Sequence, residues 1–311
     1  MDTLVGYTGF VGSNLYKQHR FEGGFNSKNI ADAFNLNPGL CVYAGVHAEK
    51  FAADKFPEQD FSHIIEALEN IRKINPKRLV LISTVDVIPS PQAEDVFEDT
   101  QYQTDGLTPY GQNRLFLENE LRKLYPNMLI IRLPALFGDG LKKNFIFDLI
   151  NIIPVMLRYT KFAELNAKAP QLSNYYKKDD TGFFRIALSI TANEQAMLKS
   201  LYRELGFSAL NFTDSRSKFS FYNIKYLWEH IELLLRNNVA LVHMASEPIS
   251  AGEIYHTIHG KVFTNEIMSQ PFDYTFFKTR YSEILGGQNG YIFRKQDSLT
   301  EIKNFIDLKK G

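Results

Sequence analysis

The sequence has almost no cysteine, no excess of charge of either sign and no long apolar run. Cys41 is its only cysteine, so an intrachain disulfide and a multi-cysteine zinc site are excluded. Basic and acidic residues both number 35, and without a basic surplus we expect no broad nucleic-acid surface. The most apolar stretch, 144–157, contains Pro154 and is too short to span a bilayer. We therefore expect a cytoplasmic protein that binds neither nucleic acid nor membrane.

The first half of the chain alternates short apolar runs with helical patterns, which is typical of strand–helix–strand units and a parallel sheet. The predicted strands are 3–5, 24–25, 40–44, 78–83 and 128–133, and the predicted helices are 10–19, 61–74 and 109–124. Thr108 is expected to cap the last of these helices with its side chain.

The pattern changes after about residue 140. Residues 141–215 are expected to be mostly helical, with a clear helix at 192–205, and capping boxes that begin at Ser250 and Ser298 are each expected to open a helix. We therefore predict an α/β protein. A doubly wound parallel sheet of the Rossmann type occupies residues 1–140, and a smaller, mainly helical substrate domain occupies 141–311 and either follows the first or interleaves with it.

Three glycines with two residues between each pair separate the first predicted strand from the first predicted helix. A chain that binds a pyrophosphate there must turn sharply, let the ligand approach its backbone and pack the helix tightly on the strand, and each demand favours glycine. The phosphates then lie on the N–H groups of the helix N-terminus. The predicted cofactor-binding residues of this turn are Gly6, Thr8, Gly9, Phe10, Val11 and Gly12.

The end of the second predicted strand indicates which dinucleotide is bound. An acidic residue at this place binds the ribose diol of NAD, whereas basic and hydroxyl residues accommodate the 2′-phosphate of NADP. The sequence reads Asn26, Ser27, Lys28, and no carboxylate follows until Asp32. NADP is therefore preferred over NAD, with a solvated turn as the alternative interpretation.

The glycine spacing GxxGxxG resembles that of the extended short-chain dehydrogenase/reductase superfamily, the NAD(P)-dependent epimerase/dehydratase group. The resemblance covers about the first 150 residues. It implies that Ala44 and Gly45, at the end of the family's fourth strand, lie beneath the adenine and pyrophosphate. It also implies that Pro134 and Ala135, after the sixth strand, border the nicotinamide.

The same resemblance places the catalytic residues. Ser83 and Thr84 match the end of the family's fifth strand, where a hydroxyl meets the reacting oxygen, and Thr84 takes the catalytic place. Tyr110 and Arg114 match the tyrosine and lysine of the YxxxK motif, which share one helix face. Because free tyrosine has a pKa of about 10, a nearby cation is needed to bring the phenol into catalytic range. Arginine in place of lysine is a departure, since its planar fork is wider and differently hydrated.

Three further residues are assigned to the substrate. The family's dehydratases carry an Asp-Glu pair after the threonine, and here Val85 and Asp86 stand there, so dehydration is disfavoured and Asp86 is either a second acid/base or a surface cap. Asn144 matches an asparagine near the substrate diphosphate, and Arg216 supplies a basic group that suits a diphosphate.

Two hypotheses follow. The first is an NAD(P)-dependent oxidoreductase or epimerase of a nucleotide-linked sugar, with the reductases that make GDP-fucose as the nearest resemblance. The second is a dinucleotide-binding sensor or scaffold with impaired catalysis, which Arg114 keeps open. The resemblance also implies a homodimer formed through the helix that carries Tyr110. His256 and His259 lack a third ligand at a recognisable spacing, so no metal is expected.

Overall fold

The structure, a computed structural model, describes residues 1–187 and 189–310. Contacts divide it into two compact units, the first formed by 1–141, 218–249 and 272–301 and the second by 142–217, 250–271 and the residues from 302 onward. The first unit thus includes segments that lie far beyond residue 140 in the chain. No helix among the described residues has the length and apolarity needed to cross a membrane.

The strands, in chain order, are β1 (Asp2–Val5), β2 (Gly23–Phe25), β3 (Leu40–Tyr43), β4 (Leu79–Thr84), β5 (Leu129–Leu133), β6 (Ala135–Phe137), β7 (Met156–Leu157), β8 (Tyr176–Lys178), β9 (Phe184–Ile186), β10 (Lys218–Phe219), β11 (Phe221–Asn223), β12 (Leu241–His243) and β13 (Ile249–Ser250). The α-helices are α1 (Phe10–Gln18), α2 (Lys50–Lys55), α3 (Pro57–Ile74), α4 (Pro109–Leu124), α5 (Phe145–Asn151), α6 (Tyr159–Lys168), α7 (Ala192–Glu204), α8 (Leu227–Arg236), α9 (Ala251–His259) and α10 (Lys295–Lys310).

A six-stranded sheet forms the centre of the first unit, in the order β12-β5-β4-β3-β1-β2. Every neighbouring pair in it is parallel. The chain runs from β1 outward to β2 and returns to β3 on the other side of β1, so the direction of winding reverses there. In open α/β sheets, ligands bind outside the carboxyl ends of the strands at this reversal. The predicted doubly wound parallel sheet is confirmed.

Both faces of this sheet are covered, as the apolar strands predict. Leu4 of β1 and Val80 of β4 point to one face, where they pack with the apolar side of α8. Val5 and Leu81, one residue further along each strand, point to the opposite face and pack with α3 and α4. Cys41 lies in the second cluster, and its burial raises the pKa of the thiol to about 12, so it is not a reactive nucleophile.

Two details of the first unit differ from the sequence predictions. The family resemblance counts the segments that end near residues 44, 84 and 133 as its fourth, fifth and sixth strands. Here they are β3, β4 and β5, because residues 26–39, all of them described, form a short 3-10 helix and loops instead of a strand. The helix predicted after Thr108 begins at Pro109, but the Thr108 side chain makes no capping hydrogen bond.

The second unit contains the expected helices and a small sheet that the sequence did not predict. β7, β9 and β8 pair antiparallel in that order. A buried hydroxyl pair lies in this unit, with Tyr202 donating to Tyr176 at 2.8 Å. The capping box at Ser250 is confirmed at the start of α9. The one at Ser298 is wrong, because α10 has already begun at Lys295.

Candidate active site

Two of the three glycines in the first turn are required by the packing of the chain itself. Gly6 has a φ of +88°, and a Cβ there would lie 2.5 Å from the carbonyl oxygen of Ala44. A Cβ on Gly12 would lie 2.1 Å from the carbonyl oxygen of Gly6. These contacts bring the end of β1, the end of β3 and the first turn of α1 together. The glycine spacing therefore forms a tight strand-to-helix turn, as predicted.

Gly9 is less constrained than Gly6 and Gly12, because a side chain there would require only a small shift of the neighbouring backbone. Its φ of −77° and ψ of 171° are extended backbone that any residue adopts. The nearest atom to a Cβ on Gly9 would be the Gly6 carbonyl oxygen at 3.3 Å, and Gly9 is exposed. It is the N-cap residue of α1, whose first turn holds no acidic side chain. The turn therefore leaves the helix N-terminus accessible, which is the arrangement that binds a phosphate.

The loop after β2 is held by its own asparagine side chains. Asn29 Oδ1 accepts from the backbone N–H of Asn26 at 2.8 Å, and Asn26 Oδ1 accepts from that of Lys28 at 2.9 Å. Ser27 and Lys28 are exposed at its tip. Asp32 lies in the following 3-10 helix, so the strand end itself presents a hydroxyl and an ammonium group and no carboxylate.

Tyr110 lies in the first turn of α4, and the hydroxyl of Thr84, the last residue of β4, is near enough to its phenol to lower the pKa of Tyr110. Its backbone N–H donates to Asp54 Oδ1 at 3.0 Å. The side chain is 7% exposed. Burial raises the pKa of Tyr110 to about 12, Asp86 and Asp60 add to the rise, and Arg114 and Thr84 oppose it. The phenol is therefore protonated at neutral pH.

Arg114 lies one helical turn after Tyr110 and is 4% exposed. Its guanidinium carbon is 3.9 Å from the centroid of the Tyr110 ring. One guanidinium nitrogen is paired with Asp60, and another donates to the carbonyl oxygen of His47. Asn113 also donates to Asp60, at 2.8 Å. The Arg114 guanidinium thus stacks on the face of the Tyr110 ring in a cation–π contact, and the buried carboxylate of Asp60 compensates its charge.

Asp86 connects the Tyr110–Thr84 pair to two residues from distant parts of the chain. Its Oδ1 accepts from Lys50 Nζ at 2.6 Å and from the Tyr274 hydroxyl at 3.3 Å. Its Oδ2 accepts from the Thr84 hydroxyl at 3.3 Å, and its backbone N–H donates to the same hydroxyl at 3.2 Å. Lys50 is 42% exposed and Asp86 19%. The five side chains of Tyr110, Thr84, Asp86, Lys50 and Tyr274 form what we call the Tyr110 cluster.

Ser83 lies next to Thr84 in the strand, and its side chain points the other way. Its hydroxyl donates to Glu118 Oε1 at 2.6 Å, in a region where both residues are buried. Glu118 also pairs with Arg132 at 2.7 Å. Arg132 continues the network to the His243 ring at 3.3 Å, and burial lowers the pKa of His243 to about 3. Ser83 is therefore part of a buried polar network beneath the strand end.

The remaining sequence-predicted residues of the first unit lie at strand ends. Ala44 follows β3, and its backbone N–H donates to the Val5 carbonyl oxygen at 2.9 Å. Gly45 is the next residue and is half-buried. Pro134 separates β5 from β6, which begins at Ala135 and pairs with β11. All four lie at or just beyond the carboxyl end of a strand of the main sheet.

Asn144 and Arg216 belong to the second unit, and their side chains make bonds within it. Asn144 caps α5 by accepting from the backbone N–H groups of Ile146 and Phe147 at 3.0 and 3.2 Å. Arg216 pairs with Asp214 at 2.8 Å and with Glu266 at 3.1 Å. These contacts show what holds each side chain, and their assignment to a substrate stays a prediction.

Comparison with known proteins identifies the fold. No family model matches the sequence, and the curated proteins contain no match to it. A dTDP-4-dehydrorhamnose reductase from Clostridium acetobutylicum is 15% identical with a TM-score of 0.60, and each chain covers 100% of the other. The same enzyme from Bacillus anthracis, solved with NADP, is 14% identical with a TM-score of 0.62, covering 99% of this chain and 97% of that one. This chain has the fold of the extended short-chain dehydrogenase/reductases.

A UDP-N-acetylglucosamine 4-epimerase from Methanobrevibacter ruminantium M1, solved with UDP-N-acetylmuramic acid, shares this fold at 10% identity, with a TM-score of 0.61 and coverage of 98% and 96%. The sequence analysis named Tyr110 and Thr84, whose catalytic role stays a prediction, and did not name Lys50 or Tyr274, which the structure places against Asp86. Lys50 is separated from Asp86 by 36 positions and Tyr274 by 188. No spacing in the sequence signals either contact.

Proposed function

We propose that this chain is an NAD(P)-dependent oxidoreductase that reduces a keto group of a nucleotide-linked sugar. The observation that carries the proposal is the position of the buried Tyr110 phenol near the Thr84 hydroxyl, at the carboxyl end of β4. The helix N-terminus capped by Gly9 lies at the carboxyl end of β1 in the same parallel sheet. A proton donor and a phosphate-binding helix end at one edge of a doubly wound sheet are the parts that a hydride-transfer enzyme needs.

The residues of the glycine turn fit a dinucleotide. Gly6 and Gly12 hold the turn closed, and Gly9 leaves space before the N–H groups of α1 for two linked phosphates. The exposed hydroxyl of Ser27 and ammonium group of Lys28 suit a 2′-phosphate, so NADP is the preferred cofactor and NAD the alternative. When bound, the reduced nicotinamide supplies hydride.

Tyr110 acts as the proton donor in this proposal. Its pKa of about 12 keeps the phenol protonated at neutral pH, so the residue is ready to give a proton to the oxygen of a carbonyl that accepts hydride at its carbon. This protonation state favours reduction over alcohol oxidation, which requires a base. Thr84 holds the reacting oxygen in line, and Ser83, bonded to Glu118 below the strand, has no part in the reaction.

The nature of the substrate is inferred from the solved structures with the same fold, whose titles name dTDP- and UDP-linked sugars. Reduction is preferred over dehydration because Val85 is buried and Asp86 is bonded to Lys50, so no pair of carboxylates stands after Thr84. The second unit, with Asn144 and Arg216, is proposed to bind the nucleotide diphosphate and sugar.

The test is a panel of nucleotide-linked keto-sugars, with loss of nicotinamide absorbance as the signal and NADPH and NADH compared at each substrate. We expect one substrate class to be reduced by the wild type. The Tyr110→Phe variant removes only the hydroxyl, so it binds the cofactor as the wild type does and loses about 10²- to 10⁴-fold in kcat. A variant that turns over at the wild-type rate would contradict the assigned role.

One observation favours a second function, a dinucleotide sensor without turnover. In the YxxxK motif the cation four residues after the tyrosine meets the same ligand as the hydroxyl. Arg114 occupies that position, but its guanidinium is held by Asp60 and the His47 carbonyl oxygen. If the folded wild type binds NADPH and the whole substrate panel leaves the cofactor unchanged, the sensor replaces the enzyme as the better account.

A further inference from the structure

The positive charge of Arg114, four residues after Tyr110, is largely compensated by the carboxylate of Asp60. The guanidinium of Arg114 is buried against the carboxylate of Asp60, with the Tyr110 ring stacked on it. The guanidinium carbon lies over the ring, and its charge lowers the pKa of Tyr110, although burial raises that pKa more. Asp86 adds to the rise, so a positive charge paired with Asp86 favours loss of the Tyr110 proton.

Lys50 carries the positive charge that pairs with Asp86. It is the first residue of α2, and its ammonium group is 2.6 Å from Asp86 Oδ1. The other carboxylate oxygen of Asp86 accepts from Thr84, whose hydroxyl lowers the pKa of the nearby Tyr110 phenol. Hydrogen bonds thus join Lys50 to Asp86 and Asp86 to Thr84, next to the phenol.

Helix α2 is anchored to the Tyr110 cluster at a second point. Asp54, four residues after Lys50, accepts from the backbone N–H of Tyr110 at 3.0 Å. The helix therefore contacts the tyrosine backbone through Asp54 and approaches its phenol through the Lys50–Asp86–Thr84 chain. Two attachments on successive turns fix the position of the Lys50 backbone relative to Tyr110.

We propose that Lys50 is a positioning residue for Tyr110: it holds Asp86 beside Thr84 and offsets the carboxylate that opposes loss of the Tyr110 proton. This inference rests on the proposed function, since it assigns Lys50 a part in the reaction of Tyr110. Two positive charges then act near the phenol, that of Arg114 stacked on the ring and that of Lys50 paired with Asp86.

The sign of the effect follows from the groups that surround the phenol. The charged and titratable groups of the elements packed around it are Arg114 of α4, Asp60 of α3, Lys50 and Asp54 of α2, Asp86 after β4, and Tyr274. The Asp86 carboxylate raises the pKa of Tyr110. Lys50 offsets that carboxylate, so removing Lys50 disfavours the phenolate further, and neutralising Asp86 favours it.

The experiment measures the titration of Tyr110 directly, in the full-length protein without cofactor or substrate. The sixteen tyrosines are replaced biosynthetically by 3-fluorotyrosine, whose more acidic phenol titrates at lower pH, and the ¹⁹F resonance of residue 110 is assigned with Tyr110→Phe. We expect Lys50→Met to raise the Tyr110 pKa by roughly one unit and Asp86→Asn to lower it by a similar amount. Lys50→Arg keeps the charge and restores the wild-type value.

Two controls define the role of Lys50. Lys55→Met removes a lysine from the other end of the same helix and is expected to leave the Tyr110 resonance unchanged. In the Asp86→Asn background, Lys50→Met is expected to shift the Tyr110 pKa less than it does in the wild type, because the ion pair that holds Lys50 beside the cluster is already lost. A Lys50→Met protein whose Tyr110 titrates as in the wild type overturns the inference, as does an undiminished Lys50 effect in the Asp86→Asn background.

The outcome is independent of the proposed function because the titration needs no turnover. If the variants show the expected pKa shifts but the protein reduces no sugar nucleotide, the proposed function is contradicted and the role of Lys50 is supported. If the protein reduces a sugar nucleotide but the variants show no pKa shift, the proposed function is supported and the role of Lys50 is contradicted. In an active enzyme the same variants move the pH profile of kcat in the directions given above, with little change in KM.

Discussion

The guanidinium group of Arg114 lies against the ring of Tyr110, with its central carbon 3.9 Å from the ring centroid. The two residues are four apart on α4, where side chains share a helix face. A lysine would not reproduce this contact, because its ammonium group is a point charge without a flat face to stack on an aromatic ring. The arginine therefore makes a contact with Tyr110 that a lysine at the same position would not make.

Arg114→Met is predicted to destabilise the protein strongly. The substitution leaves the carboxylate of Asp60 buried without its cation, and breaking a buried pair in this way costs about 3–5 kcal/mol. As the matched control, Arg72→Met breaks an exposed pair with Glu69 on α3, which is expected to cost ~1 kcal/mol or less. Denaturant unfolding measures both, and equal losses for the two variants would mean that Asp60 and Arg114 are not coupled.

Adjacent hydroxyls at the end of β4 are predicted to have separate roles. Thr84→Val removes the hydroxyl next to the Tyr110 phenol and is expected to lower kcat by at least ~10²-fold with the fold retained. Ser83→Ala removes a buried bond to Glu118 and is expected to cost ~1–3 kcal/mol of unfolding free energy with kcat unchanged. Steady-state kinetics and denaturant unfolding on both proteins check the division. A large loss of kcat in Ser83→Ala would show that the serine takes part in the reaction.

His243 is predicted to make the free energy of unfolding increase as the pH rises. Burial lowers its folded-state pKa to about 3, against about 6.5 when unfolded. Between these values the unfolded chain binds the extra proton, so stability is lost as the pH falls from about 6.5 toward 3. In His243→Asn this loss, ~1 kcal/mol per pH unit, is absent. Unfolding free energies measured at steps from pH 4 to 8 give the slope, and an unchanged slope would exclude the histidine as its cause.

Asp148 is predicted to have the opposite effect. Burial raises its folded-state pKa to about 7, against about 4 when unfolded. Between these values the unfolded chain is the more ionised state, so stability is lost as the pH rises from about 4 to 7. Asp148→Asn removes this loss, and its stability relative to the wild type is expected to be greater at pH 8 than at pH 4. Unfolding free energies of both proteins measured over the same pH series check this. A difference between the two proteins that does not change with pH would contradict it.

The parts of the fold that the sequence predicted correctly are those governed by local chemistry. The glycine turn and five of the six strands of the main sheet were predicted because glycine spacing and apolar runs have local causes, whereas β12 was not predicted. The small antiparallel sheet was missed because β7, β8 and β9 are two or three residues long and show no alternation. The Ser298 motif misled because a serine and a glutamate three residues later also occur inside a helix, and α10 begins at Lys295.

The candidate site was predicted only where its residues follow one another in the chain. Thr84 follows a strand and Tyr110 follows Thr-Pro at a helix start, so both positions have local signals. The partners of Asp86 have none, since Lys50 reaches it from α2 and Tyr274 from a segment near the C-terminus. Their contacts depend on tertiary packing, which residue spacing does not encode.

Gly9 allows the cofactor site to be tested without damage to the fold. Its extended backbone accepts any residue, and the gain from an aspartate N-cap offsets the cost of a tight Cβ contact with the Gly6 carbonyl oxygen, so Gly9→Asp is expected to change stability by less than ~1 kcal/mol. The same carboxylate occupies the place of a phosphate. By contrast, Gly12→Ala forces a Cβ to within 2.1 Å of a backbone oxygen and is expected to cost at least ~2 kcal/mol. Thermal unfolding of the two variants checks that Gly12→Ala lowers stability far more than Gly9→Asp does.

The measurement that tests the account most directly is NADPH binding by calorimetry to the wild type, Gly9→Asn and Gly9→Asp. The account predicts binding by the wild type, weaker binding by the asparagine variant, which adds bulk without charge, and a loss of more than ~100-fold in Gly9→Asp, because a carboxylate repels the diphosphate. A folded wild type with no affinity for NADPH or NADH, or a Gly9→Asp protein that binds as tightly as the wild type, would contradict it.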